Sequence, residues 1–109
     1  LSSTSRKGAE AERFVHKDME ARGWLVGSRR HTKGAGDHIA VQPKTGIGWL
    51  IETKAVPRKA SPYSSFTRAE REEMKATPVP DKWVRMLAVV RGSRQESMEV
   101  QYISESAWP

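Results

Sequence analysis

Cysteine is absent from this 109-residue chain, which excludes disulfides, thiolate zinc sites and cysteine nucleophiles and agrees with a reducing compartment. No apolar run approaches the ~18–20 residues of a membrane-spanning helix. The segment from Leu1 to Arg6 has no apolar core of the kind a secretory signal carries. A start at Leu1 rather than Met is expected of a trimmed or processed chain. Aromatic residues are scarce at 7%, and apolar residues reach 37% against 29% charged, so one domain around a small core is expected. A soluble, intracellular (cytoplasmic) protein is the expectation.

Acid is the minority charge. Thirteen Asp and Glu stand against 19 Lys and Arg, a net charge of +6. Such a balance excludes an acidic disordered tail and favours a polyanionic partner, most simply nucleic acid. Many ribosomal and surface-binding domains share it, so the placement of the charges has to discriminate.

Residues 1–5 are polar and expected to form a frayed, disordered tail, with residues 6–109 as a single domain. From about Ala9 to Arg22 the residues Ala11, Phe14, Val15, Met19 and Ala21 recur with helical period, and Gly23 marks a stop. Trp24–Arg29 reads as a strand, followed by a basic, glycine-rich loop from His31 to Gly36. Asp37–Gln42 and Gly48–Ala55, joined by the turn Pro43–Gly46, predict an antiparallel hairpin. After a loop from Val56 to Phe66, Thr67 and Glu70 form a capping box for a helix ending before Pro78. Two strands follow, Trp83–Arg91 and Glu99–Ile103. The order is α-β-β-β-α-β-β, an α/β fold with a mixed central β-sheet flanked by helices. Trp24, Trp49 and Trp83 are expected in the core, and Trp108 exposed or against a partner.

Asp37 opens one strand of the hairpin, and Glu52 and Lys54 lie on the other. Strand side chains alternate, so Glu52 and Lys54 share a face, and the hairpin can bring Asp37 beside them. Glu52 follows the apolar run Trp49-Leu50-Ile51. A buried carboxylate needs protonation, a partner or a metal, and two adjacent ones point to a divalent cation. Mg²⁺ suits one or two carboxylates plus water and phosphate oxygens. A lysine beside it can stabilise charge on an attacked phosphate and orient water.

Asp37, a gap and then Glu52-Thr53-Lys54 resembles the bipartite signature of the PD-(D/E)XK nuclease superfamily. The run Arg6-Lys7-Gly8-Ala9-Glu10-Ala11-Glu12-Arg13 is similar to the opening of the archaeal-type Holliday junction resolvases, in which an RKG motif leads into a helix bearing an ER pair. The resemblance covers roughly residues 6 to 91. It implies a restriction-endonuclease-like fold and a structure-selective DNA endonuclease that makes paired cuts in four-way junctions. Asp37, Glu52 and the Thr53 backbone carbonyl would hold Mg²⁺, with Mn²⁺ able to substitute. Lys54 would position the nucleophilic water, and Glu12 would reach the site through water or a second ion. Glu10 and Glu12 flank opposite edges of the apolar helix face, and only the resemblance selects Glu12. Two symmetric cuts from a chain with one site imply a homodimer. The chain departs from the pattern at Gly36, where the superfamily places proline, and at His38, where an aliphatic residue is usual.

Arg6 and Lys7, then Arg29, Arg30 and Lys33, then Arg58 and Lys59 border the elements bearing the acids, as phosphate tracking requires. Tyr63 and Phe66, in the basic loop, are further candidates for touching DNA. Arg68 and Arg71 read as ordinary exposed helix charges. His16, His31 and His38 match no zinc spacing. The alternatives are another nuclease of this superfamily on branched or duplex DNA, or a non-catalytic DNA-binding module of the same fold.

Overall fold

Apolar residues spaced at three and four build the first helix, α1 (Ser3–Ala21), in the computed structural model, which describes residues 3–29, 35–93 and 97–109 and side chains from Lys7 onward. Ala11, Val15 and Met19 form its buried stripe. The helix begins ahead of the expected Ala9, because each residue added to a formed helix gains a hydrogen bond without a new nucleation cost. It ends at Gly23, whose φ of 89° is left-handed. Gly23 N donates to Glu20 O at 2.9 Å and Trp24 N to Met19 O at 3.0 Å, the paired bonds of a Schellman cap.

Strands β1 (Leu25–Ser28), β2 (His38–Val41), β3 (Gly48–Ala55), β4 (Trp83–Arg91) and β5 (Glu99–Ser104) make one five-stranded sheet in sequential order. β1–β2, β2–β3 and β4–β5 pair antiparallel, whereas β3–β4 is parallel. A parallel pair needs a long crossover, and helix α2 (Arg68–Ala76) lies in it. The expected α/β fold with a mixed sheet and this element order is therefore observed. Thr67 accepts from Glu70 N, and the Glu70 side chain accepts from Thr67 N, completing the capping box.

Alternation along the strands divides the core into two layers. On one face Ala40, Ile51, Met86, Ala88 and Val90 pack with α1. On the other, Leu50, Leu87 and Val89 pack with Phe66, Met74 and Trp108. Several expectations about the aromatics are corrected here. Trp24 and Trp49 are half-buried and pack against the α1-side core, as expected, whereas Trp83 is half-buried outside it, Trp108 is 7% exposed and Phe66 is completely buried. Phe66 meets the Trp108 ring edge-on at 4.9 Å, and Trp108 Nε1 donates to Ile103 O at 3.0 Å. The sheet face left bare by the short α2 is thus closed by these two residues, which leaves Phe66 no surface for DNA. Among the described residues, no helix is long and apolar enough to cross a membrane.

Candidate active site

Where β2 and β3 begin to part, the backbone bonds Asp37 N to Ile51 O at 2.7 Å and Arg29 N to Asp37 O at 2.9 Å. These bonds place Asp37 at the mouth of the hairpin. Its Oδ2 accepts Thr53 N at 2.7 Å. Glu52 Oε1 accepts Gly36 N at 3.2 Å. Lys54, two residues along β3, projects from the same face as Glu52, and Lys54 Nζ stands 3.6 Å from Glu52 Oε2. The sequence-predicted trio of Asp37, Glu52 and Lys54 is therefore brought together.

Thr53 contributes its main chain. Backbone groups two residues apart on a strand point to the same side. Ile51 O and Thr53 N both meet Asp37, so the Thr53 carbonyl belongs to the β3 edge that faces Asp37.

Gly36 holds a conformation and a hydrogen bond that a proline could not supply. Its φ is 104°, which a proline ring locked near −65° cannot adopt, and its N–H is the donor to Glu52. A Cβ here would also fall 2.6 Å from Leu50 Cδ1. Glycine at this position is set by the site's own geometry.

A further acid joins the site from α2. Lys54 Nζ donates to Glu70 Oε2 at 2.6 Å, while Glu70 Oε1 accepts Thr67 N at 2.9 Å. Capping identifies Glu70 in the sequence, but its second oxygen reaches β3 only because the crossover lays α2's first turn over Lys54. Burial first, and then the charge of Asp37, push the Glu52 carboxyl up to about 7. Burial opposes the Lys54 ammonium, but its bond to Glu70 and the charge of Glu52 outweigh that and raise its pKa. Burial likewise acts upward on Glu70, and the bonds from Lys54 and Thr67 bring it below the ordinary range.

Glu12 and Glu10 are half-buried on α1, the layer covering the face opposite Glu52 and Lys54. Among the described residues, no three His, Asp or Glu side chains are gathered as one metal site. His38 is buried on the α1 face, its ring 5.7 Å from that of His16, so it is turned away from Glu52.

The basic clusters are dispersed. Arg29 Nη1 donates to Ala35 O at 2.5 Å, bracing the loop before Asp37. Arg58 Nη2 donates to Ser97 O at 2.8 Å and pairs with Glu99 at 3.4 Å. Lys7, Glu10 and Arg58 line a cavity of about 440 Å³ at the end of β3, and Lys59 is exposed. Tyr63 directs its hydroxyl to Ala107 O at 3.1 Å. Arg30, Lys33, His31 and the side chain of Arg6 lie outside the described residues. Comparison with protein-family models, curated proteins and solved structures finds no match to the chain.

Proposed function

We propose that the chain is a metal-dependent, structure-selective DNA endonuclease of the PD-(D/E)XK type, with four-way junctions as its substrate. The observation carrying this reading is the placement of Asp37, Glu52 and Lys54 at one mouth of the β2–β3 hairpin. The antiparallel β1–β3 meander, the α2 crossover and parallel β4 support a restriction-endonuclease-like core.

The acids present suit a hard divalent ion. Glu52 and Glu70 share the single Lys54 ammonium, and burial together with the charge of Asp37 raises the Glu52 carboxyl. Mg²⁺ or Mn²⁺ would be held by Asp37, Glu52 and the Thr53 carbonyl, and when bound supplies Lewis-acid polarisation of the phosphate and an activated water. Binding alone gives no reason to aim paired acids at a polyanion, which disfavours the non-catalytic module.

This chain's own groups then have defined tasks. Lys54 carries its charge beside the acids, where it orients a water and stabilises charge developing on the phosphate oxygens. Glu70 holds that ammonium by its shorter contact, 2.6 Å against 3.6 Å, and keeps it from collapsing onto Glu52. The outer role that the resemblance implies for Glu12, through water or a second ion, would have to be filled from α1, on the opposite face of the sheet. Symmetric cutting requires two sites, so the active form is a homodimer.

Incubation of a labelled four-way junction with Mg²⁺ and then with Ca²⁺ tests the reading. Paired symmetric nicks with Mg²⁺ alone are expected. Equal cutting of flaps and linear duplexes would move the substrate to another branched or duplex DNA, and no cutting of any of them would overturn the nuclease.

A further inference from the structure

Helix α2 bears three cations, Arg68, Arg71 and Lys75, and three carboxylates, Glu70, Glu72 and Glu73, and so has no net charge. Its charges are nevertheless sorted. At about 100° per residue, the three cations fall within about 60° of arc. Glu70 is turned inward to Lys54, and Glu73 falls on the opposite flank. Glu72 adjoins the cations and holds Arg68 Nε at 3.2 Å.

The cationic flank is also shaped. Arg68, Arg71, Glu72, Lys75 and Pro109 line a cavity of about 440 Å³. Arg71 is half-buried, its guanidinium fixed by donation to Phe66 O at 2.5 Å, which leaves its remaining N–H groups for an external acceptor. Arg68 is 86% exposed along its side chain. Among the described residues, Lys75 makes no hydrogen bond or ion pair. A preoriented guanidinium flanked by two exposed cations can donate to the paired non-bridging oxygens of a phosphodiester.

We infer that this flank of α2 is a contact for the DNA phosphate backbone, away from the cleavage site. Arg68 and Arg71 lie in the same first turns of α2 as Glu70 but on the outward side of the helix. From Arg68 to Lys75 the flank extends about 10 Å at ~1.5 Å per residue, long enough to meet successive phosphates of one strand. The identity of the polyanion as DNA rests on the nuclease reading.

The test measures binding without cleavage. Fluorescence anisotropy of a labelled duplex and a labelled four-way junction in EDTA is followed from about 50 to 200 mM KCl. Each lost phosphate contact lowers the slope of log K on log salt by about 0.9. Arg68→Gln/Lys75→Gln is expected to reduce the slope by about 2 and to weaken both DNAs alike by roughly tenfold or more. The triple variant with Arg71→Gln is expected to reduce the slope by about 3. Because Arg71 also bonds the backbone, the double variant, confirmed folded by circular dichroism, decides. An unchanged slope overturns the α2 contact while leaving the nuclease standing. A reduced slope in a chain that cuts no DNA with Mg²⁺ supports the contact and removes the nuclease. Absence of DNA binding by the unaltered chain overturns both.

Discussion

Asp37 and Glu52 are each anchored on the backbone of the other's segment. The Asp37 carboxylate accepts the N–H of Thr53, beside Glu52, and the Glu52 carboxylate accepts the N–H of Gly36, beside Asp37. Two like charges are thereby locked next to each other, and the hairpin mouth cannot rearrange to separate them without losing both bonds. A cation is the physical relief for such a pair.

Asp37→Asn keeps an oxygen for Thr53 N–H and removes the charge, and Glu52→Gln does the same for Gly36. Each is expected to lower Mg²⁺-dependent cleavage at least a hundredfold, with DNA affinity in Ca²⁺ spared. Single-turnover assays on a labelled junction check this, and undiminished cutting by either variant would remove these acids from the chemistry.

Glu52 also gives stability a pH dependence. Below pH 4.5 the carboxyl is protonated in folded and unfolded chains alike. Between its ordinary 4.5 and the folded value of about 7, only the unfolded chain releases the proton, so stability falls as pH rises and levels off above 7. Glu52→Gln should therefore be more stable than the parent at pH 8, by as much as about 3 kcal/mol at ~1.4 kcal/mol per unit. The gain should vanish near pH 4. Urea titrations in EDTA measure it, and a gain independent of pH would contradict the assignment.

The Glu70 carboxylate joins the cap of α2 to Lys54, and two substitutions separate these roles. Thr67→Val removes the cap hydroxyl at a cost of about 1 kcal/mol and leaves Lys54 its partner. Glu70→Gln can still accept Thr67 N–H but no longer offers Lys54 a charge. Expected is a roughly tenfold slower cleavage for Glu70→Gln and near-parental cleavage for Thr67→Val. If both lose activity in step with stability, Glu70 is a cap only.

A proline at position 36 should harm this protein. Gly36→Pro removes the donor to Glu52 and cannot adopt a φ of 104°. A loss of about 3 kcal/mol or more in urea, together with abolished cleavage, is expected. A stable, active variant would show that the turn before Asp37 is free to rebuild.

Phe66→Ala opens the far core against Trp108 and should cost about 3–5 kcal/mol. The tryptophan emission maximum should move to longer wavelength as Trp108 gains water. A change below 1 kcal/mol would return Phe66 to the surface.

Local rules carry much of this fold. β3 and β4 have the bounds that their apolar runs predict, because both strands are central and bury residues on each face. The Thr67 capping box is legible for a similar reason: its partners are three residues apart. What depends on tertiary placement is not legible. Phe66 and Trp108 are 42 residues apart in sequence and meet only once the crossover is folded. Arg29 looks like one more surface cation until the loop it braces is built. Asp37, Glu52 and Lys54 lie between these cases, since alternation and one short turn suffice to converge them. Glu70 needs the crossover as well.

The double use of Glu70 also makes the start of α2 a reporter. Its carboxylate has two oxygens, one on the Thr67 amide and one on Lys54. Any opening that frays the helix's first turn also releases Lys54. Amide exchange at Thr67 should therefore track the fraction of time the site is disassembled, before any substrate is added and without a measurement of turnover.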